Sequence, residues 1–193
     1  MRHELSRKAI HVVTNALIPL AYLILDIPRF WMALILGVSS IIVVSIDILR
    51  MQQGSISRLF TKLFGRMLRV HEQDGKLTGA SYVLIGSFAA VVLFPKEITI
   101  LALLFTAVGD TVAGLYGRMF GKLKIWNKTI EGSLAGLIAC IVIAVFFTNI
   151  LNLVKYGGAC AAMLIELLPI NIDDNLRIPI FSGTIMYLLV MIQ

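Results

Sequence analysis

A chain of 193 residues with 59% hydrophobic and 15% charged side chains, net charge +6 and mean hydropathy +0.91 lacks the polar surface of a water-soluble domain, which carries about 25% charged residues. Its apolar residues come in long continuous runs without the strict alternation of a membrane barrel. The fold class expected is therefore an all-α bundle in lipid, where only structures that satisfy their own backbone survive. The positive charge is explained by membrane topology and calls for no nucleic acid.

A spanning helix needs about 20 predominantly apolar residues. The runs predict seven transmembrane helices, over 8–25, 29–49, 77–94, 97–117, 130–150, 154–168 and 177–193. The first run has no small-residue cleavage site, so no signal peptide is expected. Between the second and third helices, Ile56 to Arg69 places an apolar pair every three to four residues with basic residues between. This pattern predicts an amphipathic helix lying on the anionic membrane surface. The sixth helix is short, opens with Gly157-Gly158 and carries Glu166; whether it is tilted, broken or only partly inserted stays open. Cys140 and Cys160 lie in apolar runs without a CxxC pairing and read as reduced core residues. Nothing marks a second domain, so residues 1–193 are expected to form one membrane-embedded unit.

Orientation follows from Lys and Arg. All but three of the 17 basic residues fall at the N-terminus or in the connections after helices 2, 4 and 6; the exceptions are Arg29, Lys96 and Lys155. The N-terminus is therefore expected in the cytoplasm of a multi-pass cell-membrane protein. All but two of the 11 acidic residues, Asp26 and Glu97, share the basic side. The topology rule does not require this, and acids mixed with bases at one membrane face suggest a metal and polyanion site.

Asp110 lies inside the fourth helix, where an ionised group is costly unless paired or facing water. Ala113, Gly114, Gly117 and Gly121 continue its face toward the cytoplasm. Tight helix packing accounts for these small residues but not for the acid. Next come Arg118, Lys122, Lys124 and Lys128, then Thr129, Glu131, Gly132 and Ser133 at the start of helix 5. A helix N-terminus beside basic side chains and glycines suits a phosphate chain, although no Walker A motif occurs. The sequon Asn127-Lys-Thr129 faces the cytoplasm and is discounted. Arg7, His11 and Asn15, with Lys8 beside them, form a polar stripe on helix 1 suited to phosphate binding or proton handling. Glu166 and the Asp173-Asp174-Asn175 run between Pro169 and Pro179 offer oxygen ligands of the kind Mg²⁺ prefers.

Four patches resemble the CTP-dependent polyprenol kinases, a family that includes dolichol kinase, phytol kinase and CTP-dependent diacylglycerol kinase. They are Glu4 to His11, Leu77 to Tyr82, Gly109 to Ser133, and Asp173 to Pro179. The resemblance implies transfer of the γ-phosphoryl group of CTP to the hydroxyl of a membrane lipid alcohol, at the cytoplasmic face of the bilayer. The implied catalytic residues are Asp110, Glu131 and His11. The implied nucleotide contacts are Arg7, Lys8, Gly114, Gly117, Arg118, Gly121, Lys122, Lys124, Lys128, Thr129, Gly132 and Ser133. Asp110, Glu166, Asp173 and Asp174 are the expected Mg²⁺ ligands. The general base stays open among Asp110, Glu131, Glu166 and His11, and the oligomeric state stays open, a homodimer included.

Two other classes compete. A cytidylyltransferase making a CDP-lipid would use the same charges. A transporter would use Asp110 and Glu166 as intramembrane ion ligands, but such proteins commonly show inverted repeats and midplane sites, and neither pattern occurs here. The topology is directly testable. A cysteine introduced at position 29 or 96 should react with an impermeant reagent on intact cells, and one at 62 or 124 only after permeabilisation. External labelling at 124 would overturn the orientation.

Overall fold

The computed structural model describes residues 14–52 and 76–192. Among them are seven helices: α1 (Thr14–Ile24), α2 (Arg29–Met51), α3 (Gly79–Leu93), α4 (Lys96–Phe120), α5 (Ile130–Val145), α6 (Asn152–Leu167) and α7 (Asp174–Met191). One small antiparallel hairpin, β1 (Lys124–Ile125) with β2 (Lys128–Thr129), joins α4 to α5. By length and composition α2 and α4 suffice to cross a bilayer, while α1, α3 and α5 are shorter apolar helices. The amphipathic helix expected over 56–69 lies outside the described residues.

Three expectations need correction, and one open point is resolved. Helix α5 stops at Val145 instead of continuing to 150. Its end tightens as Phe146 and Phe147 donate to the carbonyls of Ile143 and Ala144, three residues back, and Lys155 Nζ takes the Phe147 carbonyl at 3.1 Å. Helix α7 starts at Asp174, three residues earlier than expected, because the Asp173 carboxylate accepts the Asn175 N–H at 3.0 Å and caps it. Pro179 then falls inside α7 and leaves the Asn175 carbonyl without its intrahelical donor. That carbonyl lies against Gly86 of α3, where a Cβ would collide with it. Helix α6 is continuous through Gly157-Gly158, since these glycines admit Leu189 and Met186 of α7 at close range. Cys140 is buried as expected, but Cys160 is exposed.

The contacts fix how the helices run. Gly158 meets Met186 while Arg177 reaches the carbonyl of Glu166, so α6 and α7 are antiparallel. Gly109 meets Cys140 while Gly132 meets Ala113, which makes α4 and α5 antiparallel. Gly86 with Asn175 and Phe94 with Gly183 set α3 and α7 parallel. Within the core, Leu101, Phe105, Ile178 and Met186 are inaccessible. The apolar window of α4 is 72% buried and that of α2 only 22%, so α4 is the central helix and α2 is peripheral.

Arg29, Lys96 and Lys155, the three cations assigned to one face, all engage neighbouring chain at helix ends. Arg29 Nε donates to the Val91 carbonyl at 2.8 Å, Lys96 pairs with Asp26, and Lys155 takes Phe147. The Lys96 hydrogen bond holds the Asp26 carboxyl below its usual range. At the other end of α2, Asp47 is 1% exposed. It accepts the Thr78 N–H at 2.7 Å, the Thr78 hydroxyl at 2.8 Å and the Ser81 hydroxyl at 2.7 Å. Arg50, also buried, pairs with it at 3.3 Å and donates to the Lys76 carbonyl. Asp47 thus caps α3 from the neighbouring helix and accounts for Thr78 and Ser81 of the Leu77 to Tyr82 patch. Removing one partner of a buried ion pair strands the other, at a cost of about 3–5 kcal/mol. Asp47→Ala should therefore lose most folded protein in detergent, read as a lowered melting temperature and loss of the monodisperse peak. Unchanged melting would show that α3 does not depend on this cap.

Candidate active site

Asp110 ends a π-helical turn, Phe105–Asp110, in the middle of α4. Such turns are rare and recur at functional positions. Close packing holds this one. A Cβ on Gly109 would lie 2.6 Å from both Cys140 Sγ and Met163 Cε. On Gly136 it would lie 2.6 Å from Met163 Sδ and 2.8 Å from the Gly109 carbonyl. Met163 of α6 is thus wedged between α4 and α5, and Glu166, three residues on, emerges beside Asp110.

The end of α4 meets the start of α5 through glycines. A Cβ on Gly121 would lie 2.5 Å from Thr129 Cγ2, and one on Gly132 would lie 2.5 Å from the Ala113 carbonyl; Gly117 likewise admits the Thr129 hydroxyl. Thr129 caps α5 by accepting the Gly132 N–H at 3.2 Å. The Glu131 carboxylate accepts the Leu123 N–H with both oxygens, at 3.0 and 3.2 Å, and the Ile130 N–H donates to the Leu123 carbonyl. The hairpin is therefore fixed at its base, with Trp126 at its tip in a left-handed conformation (φ 54°).

Carboxylate oxygens of Asp110 (α4), Glu166 (α6) and Asp174 (α7) lie within 4.8 Å of one another. Glu166 is 3% exposed; Asp110 and Asp174 are half-buried. Lys128 Nζ sits 2.5 Å from Glu166 Oε1 and 3.1 Å from Asp174 Oδ2, and the Ser133 hydroxyl donates to Glu166 Oε2 at 3.2 Å. Arg177 pairs with Asp174 and donates to the carbonyls of Glu166 at 3.1 Å and Leu168 at 2.7 Å, closing the α6–α7 turn. Asn15 Nδ2 donates to Asn175 Oδ1 at 2.8 Å, which ties α1 to the start of α7. Asn15, Ser87, Thr106 and Asn175 line a cavity of about 10 Å³, the space of one water, one helical turn from Asp110.

Of the expected metal ligands, three converge and Asp173 does not: its carboxylate takes the Asn175 N–H and side-chain amide, the latter at 2.7 Å. Among the expected nucleotide contacts, Lys128, Thr129, Gly132 and Ser133 adjoin the cluster. Gly117 and Gly121 serve helix packing, Gly114 is half-buried, and Arg118, Lys122 and Lys124 are exposed. Arg7, Lys8 and His11 lie outside the described residues. Arg177 was not singled out as a site residue, although its i+3 spacing from Asp174 signals an ion pair.

The donor set fits Mg²⁺. That ion is usually held by one or two carboxylates together with phosphates and waters, and Asp110, Glu166 and Asp174 would supply the carboxylates. The N-termini of α5 and α7 border the cluster and add positive potential for a phosphate chain.

No family model matches the chain, and no solved structure matches it. Several proteins are similar in sequence. An uncharacterised protein of Methanocaldococcus jannaschii is 32% identical over 91% of this chain and 88% of its own length. CTP-dependent diacylglycerol kinase 1 of Schizosaccharomyces pombe is 26% identical over 97% of this chain and 94% of its own. The chloroplastic farnesol kinase of Arabidopsis thaliana is 30% identical over 64% of this chain and 46% of its own. With lipid kinases similar to it across most of its length, the chain belongs to the CTP-dependent polyprenol kinase family.

Proposed function

We propose that this protein is a lipid kinase that transfers the γ-phosphoryl group of CTP to the hydroxyl of a membrane lipid alcohol, releasing CDP and a lipid monophosphate. The observation that carries this reading is the convergence of Asp110, Glu166 and Asp174 at one end of an apolar bundle, beside Lys128 and two helix N-termini. Kinases named for diacylglycerol, phytol and farnesol among its relatives support an acceptor drawn from polyprenol, dolichol or phytol-type isoprenoids, or diacylglycerol. The seven helices act as one domain in the cell membrane, with the site at the cytoplasmic face.

Phosphoryl transfer depends mainly on positioning and charge neutralisation. Asp110, Glu166 and Asp174 would hold Mg²⁺, which would supply charge neutralisation to the nucleotide phosphates when bound. Lys128 and the α5 N-terminus receive the phosphate chain, with Arg118, Lys122 and Lys124 forming the basic rim and Gly114 keeping the approach open, while Gly117 and Gly121 contribute by letting α4 close on Thr129. Arg7 and Lys8 are assigned to the phosphates, and His11 to proton handling, on the sequence stripe that ends at Asn15. The acceptor hydroxyl attacks the γ-phosphorus, the bond to the β–γ bridging oxygen breaks, and the alcohol proton passes to a nearby base. Glu131 is engaged by the Leu123 amide, which favours Asp110 or Glu166 in that role over Glu131, with His11 remaining an alternative.

Purified protein in nanodiscs, supplied with Mg²⁺ and CTP labelled in either the α- or γ-phosphate, tests the reading against a panel of prenols and diacylglycerol. Label from the γ-phosphate should enter lipid and label from the α-phosphate should not. Lipid labelled only from the α-position would make the protein a cytidylyltransferase. Equal turnover with ATP at equal concentration would contradict the CTP assignment.

A further inference from the structure

Lys128 stands apart from the other basic residues of its loop. Lys122 and Lys124 are exposed, whereas Lys128 is half-buried, with its ammonium 2.5 Å from Glu166 Oε1 and 3.1 Å from Asp174 Oδ2. Those carboxylates supply two of the three oxygens proposed above for Mg²⁺. An ion held by the same carboxylates would lie close to the ammonium, and two cations that near repel strongly in a site partly shielded from water. The two occupants therefore compete for the same carboxylates.

The surrounding groups determine which partner can leave. Arg177 is tied to Asp174 and to the carbonyls of Glu166 and Leu168, so it stays. Ser133 carries no charge and follows Glu166. The Lys128 backbone is fixed by pairing with Ile125 and by the Thr129 cap, but its four-carbon stem lets a compact ammonium swing. The adjacent α5 N-terminus is the place where an arriving phosphate chain is favoured, within reach of that swing.

We infer that the Lys128 ammonium is the resting occupant of the cation site, and that it yields to a divalent ion by moving from Glu166 and Asp174 onto the phosphates of the incoming nucleotide. The exchange keeps both carboxylates compensated in each state and makes metal alone a poor ligand. This inference rests on the metal site proposed above but not on the identity of the acceptor lipid.

The test uses Mn²⁺ as the probe, with neither nucleotide nor lipid present. Binding is read by electron paramagnetic resonance on the full chain in nanodiscs, for wild type, Lys128→Met and Lys128→Arg. Lys128→Met should bind Mn²⁺ about tenfold more tightly than wild type, the scale on which groups touching metal ligands tune affinity. Lys128→Arg keeps the competing charge and should gain nothing. A Lys128→Met protein with native elution and melting that binds Mn²⁺ no better than wild type would overturn the exchange. If the Met variant folds only with millimolar Mn²⁺ present, the ion has replaced the ammonium, as expected; if Mn²⁺ fails to restore the fold, the inference falls. Failure of the kinase reading shows separately, as an absence of lipid phosphorylation by wild type.

Discussion

Like charges held a few ångströms apart inside an apolar bundle repel one another, and they also lose hydration. At an effective dielectric constant near 20, two carboxylates about 5 Å apart oppose each other by about 3 kcal/mol. Asp110, Glu166 and Asp174 stand in that relation, and much of the surrounding architecture compensates it. Lys128 and Arg177 supply positive charge, Ser133 donates a hydrogen bond, and α5 and α7 begin beside the cluster. The packing that forces the acids together is equally specific. Gly109 and Gly136 let α4 and α5 close around Met163, while Gly158 seats Met186 and brings α6 against α7. A bundle with larger residues at these points would hold the carboxylates farther apart.

The architecture separates two kinds of buried acid. The Asp47 carboxylate accepts hydrogen bonds from Thr78 and Ser81 at the start of α3, linking α2 to α3, and pairs with Arg50 of its own helix. It is a structural cap carried by another helix. The Asp110 cluster instead brings acids from three helices together and answers them with a flexible ammonium. Several carboxylates converging from separate elements suit a cation that bridges them, whereas one carboxylate saturated by local donors suits a fixed joint.

Much of this was legible in the sequence. Seven apolar runs marked the seven described helices, because hydropathy records the solvent around a helix. Asp110 and Glu166 were conspicuous as ionisable residues in apolar runs, and Lys128 as the basic residue next to a helix start. Pairwise geometry was not legible. Asp173 and Asp174 look equivalent in the sequence, yet capping of α7 takes Asp173 and leaves Asp174 to the cluster. The glycines after Asp110 suggested phosphate approach as well as packing, and at Gly117 and Gly121 the threonine that fills the space lies in the hairpin beyond. The hairpin itself is too short to leave a periodic signal. Just beyond the end of α5, Lys155 takes the Phe147 carbonyl, a pairing that no local pattern reveals.

The central claim is that Asp110 holds a divalent cation for phosphoryl transfer, and Asp110→Asn tests it most directly because it keeps size and hydrogen bonding while removing the charge. Lipid phosphorylation should be followed across a Mg²⁺ titration in protein that elutes and melts as wild type. The account predicts a fall in turnover on the order of 10² or more, the scale of losing one key electrostatic stabiliser, together with a higher Mg²⁺ requirement. A folded Asp110→Asn protein with near-normal turnover and an unchanged Mg²⁺ dependence would contradict it.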